Sequence, residues 1–224
     1  MTLREITILS VPLRIITAII ISGIIGMERG LKNRAAGFRT YILVCVGSCI
    51  IMMMNQYIFQ MLCIGDPTRM AAQVVSGIGF LGAGSIIVTS HNQIKGLTTA
   101  AGLWASACIG LAIGFGLYEI ALFGGIAIFL VLTALHYWES RLRRNAKVVT
   151  VYLELNPSTG LSTFIKEARQ SELVVSNIQV ESSDSAIRES ICFIATIKGK
   201  NRMKRSAMLS KILESASVQY MEEL

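Results

Sequence analysis

The stretch from Arg69 to Gly116, RMAAQVVSGIGFLGAGSIIVTSHNQIKGLTTAAGLWASACIGLAIGFG, constrains the fold more than any other. It consists of two apolar, glycine-rich segments joined by a short polar turn that contains Lys95. Each segment is long enough to cross a bilayer core, which takes about 20 residues. Glycine weakens a helix in water, but it lets membrane helices approach closely. In the second segment Gly102, Ser106, Gly110 and Gly114 recur every fourth position and share one helix face. That pattern specifies packing against a neighbouring helix. In the first segment Gly77, Gly79, Gly82 and Gly84 do not share a face. Their spacing fits a helix packed on all sides, or one locally unwound where a pathway or ligand needs backbone groups.

Of the 224 residues 53% are hydrophobic and 16% charged, and the charges are sparse up to Trp138 and frequent from Glu139. This predicts an α-helical membrane domain over residues 1–140 and a soluble domain over 141–224. Apolar segments at about Ile6–Met27, Tyr41–Phe59, Met70–Val88, Thr98–Phe115 and Leu117–Tyr137 give five transmembrane helices. Arg14 is close enough to the end of the first to snorkel toward water. The charged residues that follow this segment, with no small-x-small cleavage site, argue against a signal peptide. Pro67 suits the start of the third helix.

Charge bias sets the expected orientation. The basic loop Glu28–Arg39, the Lys95 turn and the run Arg141, Arg143, Arg144, Lys147 fall on one side of a five-span chain. By the positive-inside rule that side is cytoplasmic, which puts the amino terminus outside and the carboxy-terminal domain inside. The net charge of +7 is therefore read as topology, and no nucleic acid partner is expected. The five cysteines form no C-x-x-C pair; Cys45, Cys49 and Cys108 read as small hydrophobes, and Cys63 and Cys192 lie elsewhere. His91 and His136 are far apart and suggest no metal site. Whether a metal binds is left open, and no cofactor is expected.

The tail alternates strand-like at Val148–Leu155, Leu173–Glu181, Ile187–Lys198 and Ser217–Met221, with a break at Asn156-Pro157-Ser158. Leu161–Gln170 and Asn201–Ser215 have helical spacing. This order predicts a small α+β domain of split βαβ, ferredoxin-like type. Lys198, Lys200, Arg202, Lys204 and Arg205 read as a solvated or lipid-facing patch, with anion or nucleic acid binding as the alternative.

No nucleophile–base pair and no phosphate loop is present, so an enzyme is not expected. The polar residues worth naming sit at membrane boundaries: Glu28, Arg29, Arg39, Asp66, Arg69, Thr98 and Thr99. They read either as topology signals and interfacial ion pairs, or as members of a polar path in which Glu28, Arg39 and Asp66 lie between helices. Gln73 is an amide one turn inside the third helix and needs a hydrogen-bond partner there. Trp104 sits mid-segment, away from the interfacial belt, and suggests packing or a pathway wall.

At GIIGMERGLKNRAAGFRTYILVCVGS (Gly23–Ser48), RMAAQVVSGIGFLGAGSII (Arg69–Ile87) and IKGLTTAAGLWASACIGLAIGFGLY (Ile94–Tyr118) the chain resembles the MgtC/SapB family of bacterial inner-membrane proteins. The resemblance implies a five-helix membrane domain and, as in the longer members, an ACT-like cytoplasmic domain that takes a small ligand or mediates dimerisation. It also implies a role in growth at low magnesium or virulence, and a homo-oligomer in the lipid bilayer is expected. Regulation of a membrane complex, the F-type ATP synthase being proposed for one member, competes with ion transport or a channel. The family pattern would place its polar site at Glu28, Arg29, Arg39, Asp66, Arg69, Gln73, Thr98 and Thr99. Tyr41 stands where many members have histidine. Thr98 and Ala105 replace an asparagine and a cysteine of the virulence-associated member, which puts that member's specific activity in question here.

Overall fold

The computed structural model describes residues 5–62, 66, 68–89, 93–135, 137–138, 141, 148–156, 160–181, 191–200 and 205–223. Cys63, Pro67, His91, His136, Arg143, Arg144, Lys147, Pro157, Ser158, Arg202, Lys204 and the strand start expected at Ile187 lie outside these residues. The chain divides into two compact units, Met1–His136 and Tyr137–Leu224.

The first unit is built from α1 (Ser10–Leu31), α2 (Phe38–Leu62), α3 (Arg69–Gly84), α4 (Leu97–Phe115) and α5 (Tyr118–Leu130), the last running on as a π-helical turn, Val131–Leu135. A short hairpin, β1 (Ile87–Val88) against β2 (Ile94–Lys95), separates α3 from α4. Among the described residues four helices are long and apolar enough to cross a membrane: α1, α2, α4 and α5 with its π turn. The third, α3, has 16 residues, about 24 Å of rise against a hydrocarbon core of about 30 Å.

Helix ends follow local chemistry. Thr7 and Ser10 each accept the other's backbone N–H through their hydroxyls, at 2.8 and 3.2 Å, so α1 starts at Ser10 rather than Ile6. It continues past Met27 to Leu31 and stops where Asn33 turns left-handed at φ 50°. The third segment does not stay helical to Val88. Ser85 and Ile86 donate back to the Gly82 and Ala83 carbonyls in a closing turn. The β-branched Ile87 and Val88 then pair with Ile94 and Lys95. Gly96, at φ 99°, leads into α4, and a Cβ there would overlap the Ser85 carbonyl.

Contacts fix the directions. On α4, Gly102 lies against Tyr41, Gly110 against the Cys45 carbonyl and Gly114 against Cys49 and Met52, so α2 and α4 run parallel. Gly26 of α1 packs on Phe38 and Tyr41 at the start of α2, and Gly82 of α3 packs on Ala100 at the start of α4. Helices α1 and α3 are therefore antiparallel to that pair. Gly125 of α5 meets Ile21 and Ile109, and the Leu132 carbonyl meets Arg29 near the end of α1, which makes α5 parallel to α1. Helix α4 touches all four others. The bundle is inside-out by soluble standards. Ser10, Arg14, Ala18, Ser22, Gly26 and Arg29 form the buried face of α1, whereas Ile16, Ile20 and Ile24 are exposed. Apolar side chains lose nothing by facing lipid, so small and polar groups go inward.

The second unit is an open antiparallel sheet with two helices: β3 (Val148–Leu155), α6 (Leu161–Gln170), β4 (Leu173–Glu181), β5 (Cys192–Gly199), α7 (Arg205–Leu213) and β6 (Val218–Glu223). The strand order is β4-β5-β3-β6. All neighbouring pairs are antiparallel, so β3 and β4 are parallel to each other with β5 between them. Alternation in β3 sends Val149, Val151, Leu153 and Leu155 to one face, where they meet Phe193, Ala195 and Ile197 of β5 and Phe164, Met208 and Ile212 of the helices. Phe164 and Phe193 stack edge-on at 5.6 Å between centroids. Asn177, at φ 51°, marks the bulge that shifts the β4–β5 register.

The glycine environments predict opposite outcomes for one substitution type. Gly110→Ala drives a methyl into the Cys45 carbonyl and should lower thermal stability in mild detergent by about 1–3 kcal/mol, as overpacking does. At Gly79 a methyl meets nothing within 4 Å, and Gly79→Ala should be neutral or stabilise by up to about 1 kcal/mol. Equal melting shifts for the two would contradict this packing.

Candidate functional site

The bundle gathers its charged groups at its two ends. At the end shared by the C-terminus of α1 and the N-termini of α2 and α4, Glu28 sits between two cations. Its carboxylate accepts from Arg29 Nε at 2.6 Å and Nη2 at 3.0 Å, and from Lys32 Nζ at 2.5 Å. Arg29 is only 3% exposed. Its Nη2 also donates to the Leu132 carbonyl at 3.1 Å, in the π-helical turn whose wider winding disturbs the ordinary ladder of carbonyl partners. One guanidinium thus links α1, α5 and a carboxylate.

Behind this cluster Tyr41 is fully buried, with Gly102 against its hydroxyl, and its backbone carbonyl accepts from the Ser106 hydroxyl at 3.3 Å. Among the described residues the Tyr41 hydroxyl has no hydrogen-bond partner. Thr99 is buried one turn into α4, while Thr98 is exposed. Lys32, Arg34, Arg39 and Lys95 lie at this same end, on α1, the loop after it, α2 and the hairpin.

The opposite end has a charge that the sequence reading misplaced. Arg14 does not snorkel: it is 0% exposed. Its Nη1 donates to Gln56 Oε1 at 2.8 Å and to the Gly114 carbonyl at 2.7 Å, and Nη2 reaches the Glu5 carbonyl at 3.4 Å. Gly114 is in the last turn of α4, where carbonyls lack helical partners and the helix dipole favours a cation. Asn55 is buried on the same stretch of α2. A signal for this was present. Ser10, Arg14, Ala18 and Ser22 fall every fourth residue in a segment otherwise rich in isoleucine, which marks Arg14 as inward-facing.

Of the other named residues, Asp66 is exposed and serves the entry to α3. Its Oδ1 accepts the Thr68 hydroxyl at 2.6 Å and the Thr68 N–H at 2.8 Å. These two hydrogen bonds, with Arg69 nearby, hold its carboxyl below the ordinary range. Asp66 and Glu28 belong to opposite ends and do not meet. Arg39, Arg69 and Gln73 all line one groove between α2 and α3, of about 910 Å³. Gln73 is exposed there and makes no hydrogen bond among the described residues. Trp104 is half-exposed. Gly102, Ser106, Gly110 and Gly114 are all buried, and Gly82 faces Ala100, whereas Gly77, Gly79 and Gly84 have no atom within 4 Å of a built Cβ. Among the described residues no group of three His, Cys, Asp or Glu side chains could hold a metal ion.

A family model described as the MgtC family matches residues 15–141, more than half of the chain. The chain is similar to the "Putative magnesium transporter YhiD" of Escherichia coli (strain K12), 40% identical over 168 residues, which is 72% of this chain and 78% of the relative. It is similar to "Protein SapB" of Bacillus subtilis (strain 168), 32% identical over 176 residues, 73% of this chain and 74% of that one. "Protein MgtC" of Brucella abortus (strain 2308) is 48% identical over 106 residues, 46% of this chain and 42% of the relative. The first two similarities take in more of the chain than its first unit holds. No solved structure gives a significant match.

The buried arginine yields a test. Gln56→Leu removes a side-chain acceptor from Arg14 and should cost about 1–3 kcal/mol of stability, read as a lowered melting temperature. Asp66→Asn, at an exposed turn, should stay within about 0.5 kcal/mol. A silent Gln56→Leu would show that Arg14 does not depend on this contact.

Proposed function

The chain belongs to the MgtC family, and from that premise we propose that it is an inner-membrane regulator of adaptation to low magnesium or of virulence, acting on a membrane partner such as the F-type ATP synthase or on ion homeostasis. It is not an enzyme. The observation that carries the regulatory reading is the state of the buried charges. Glu28 is engaged by Arg29 and Lys32, and Arg14 by Gln56 and a helix-end carbonyl. Groups held by partners within the bundle serve packing and a fixed surface better than the transient coordination of a moving ion.

In this proposal residues 1–140 cross the membrane five times, α3 included, and residues 141–224 form the cytoplasmic domain. The clustering of Lys32, Arg34, Arg39 and Lys95 at one end supports an amino terminus outside and a carboxy terminus inside. The strand order β4-β5-β3-β6, with its two interleaved split βαβ units, supports a ferredoxin-like, ACT-like domain that binds a small ligand or pairs with a second copy. Among the eight polar residues of the proposed site, Glu28, Arg29, Arg39, Asp66, Arg69, Gln73, Thr98 and Thr99, the Glu28–Arg29 pair is its centre. The second reading, a magnesium transporter, draws on the name of the Escherichia coli relative.

Two measurements separate them. A regulator supports growth of a deletion strain in limiting magnesium yet shows no magnesium flux in proteoliposomes, and Glu28→Gln abolishes the growth support at unchanged membrane levels. Flux dependent on Glu28 would replace the regulatory reading with the transport one. Full complementation by Glu28→Gln would remove the charged centre from the proposal.

A further inference from the structure

The groove between α2 and α3 has a physical cause in the sequence. Gly47 on one wall and Gly77 on the other each leave open space where a Cβ would stand. Between its ends the wall is mostly apolar, with Leu43 and Ile51 on α2 and Val74 and Leu81 on α3, and Ser48 as its one hydroxyl there. Its residues on α2 run from Arg39 to Ile51, a rise of about 18 Å along the helix. In a bilayer, an apolar groove of about 910 Å³ is filled by whatever apolar chain is adjacent, because empty space forfeits dispersion contacts.

The two ends of the groove differ in charge. Arg69 and Gln73 mark the end near Ile51, where the carboxylate of Asp66 lies three residues before Arg69, on the turn that enters α3. At the other end Arg39 has no hydrogen bond or ion pair among the described residues. The carboxylate nearest in sequence, Glu28, is taken by Arg29 and Lys32. Thr40 adds a hydroxyl beside Arg39. An unmatched guanidinium at the mouth of an apolar groove suits a phosphate with a hydrocarbon tail.

We propose that this groove holds one anionic phospholipid of the bilayer, its phosphate on Arg39 and an acyl chain lying over Gly47 and Gly77. The lipid completes the wall that α3, the least buried helix of the unit, leaves open against α2. This site is independent of the magnesium reading, since it requires only that α2 and α3 be in the membrane.

The experiment is native mass spectrometry of the full chain released from detergent containing phosphatidylglycerol or, separately, phosphatidylcholine. The wild type should retain one phosphatidylglycerol per chain in preference to phosphatidylcholine. Arg39→Gln should lower retention of phosphatidylglycerol about fivefold, and Arg34→Gln, a basic residue of the same end outside the groove, should not. Gly47→Leu fills the groove from an open position and should reduce retention of both lipids; Gly77→Leu should do so from the opposite wall. Unchanged retention in Arg39→Gln and in both leucine variants would overturn the proposal. So would a change of oligomeric mass in the leucine variants with lipid retention intact, since the groove would then be a seat for a second copy.

Discussion

The contact between α2 and α4 is the constraint on which the rest of the membrane unit depends. Three positions on α4 have no side chain, and at Gly110 and Gly114 backbone carbonyls of α2 occupy that space. Helices in lipid gain little from burying apolar surface against each other, so close backbone approach and its many dispersion contacts must hold them. Because α2 and α4 are not consecutive hydrophobic segments in the chain, their parallel pairing also dictates where α1, α3 and α5 can go. Helix α1 closes one side through Gly26, α5 closes another through Gly125, and α3 is left with a narrow seat at Gly82.

The charges follow from that frame. A guanidinium inside a helical bundle is expensive unless its donors are met. Arg14 finds the Gly114 carbonyl at the end of α4 and an amide on α2. Arg29 finds a carboxylate on its own helix and a carbonyl released by the π turn of α5. Each arginine therefore links helices that the glycine contacts alone leave loosely tied, one at each end. Under the regulatory proposal these links hold a fixed working surface rather than an open ion path.

Much of this was legible in the residues. The apolar lengths and the change in charge density at Trp138 mark a helical membrane region followed by an α+β domain, because a bilayer demands length and a sheet demands alternation. The four-residue period on α4 needs only helix geometry to be read. Which helix it meets is not local information, since α1, α2 and α5 are all apolar enough to be partners. Distance from the segment end alone puts Arg14 at the water interface; the helix face it shares with Ser10, Ala18 and Ser22 puts it inside. The hairpin after α3 is not legible, because Ile87 and Val88 look equally like membrane helix and strand in an apolar run. Gly77, Gly79 and Gly84 carried no readable face, and they line open space.

The register of α2 on α4 is the claim that most needs a direct test. The Ser106 hydroxyl of α4 donates to the Tyr41 carbonyl, and Gly110, one turn further along α4, lies against the Cys45 carbonyl, so Ser106 falls beside the Tyr41–Cys45 turn of α2. In a variant retaining Cys45 as its sole native cysteine, Ser106→Cys places a second thiol beside it with little change in volume. Mild oxidation in membranes, followed by proteolysis and mass spectrometry, should yield a peptide pair joined through residues 45 and 106. Ala105→Cys, one residue away on the helix, should give far less. Efficient linkage at 105 with none at 106 would contradict the register and, with it, the architecture built on α2 and α4.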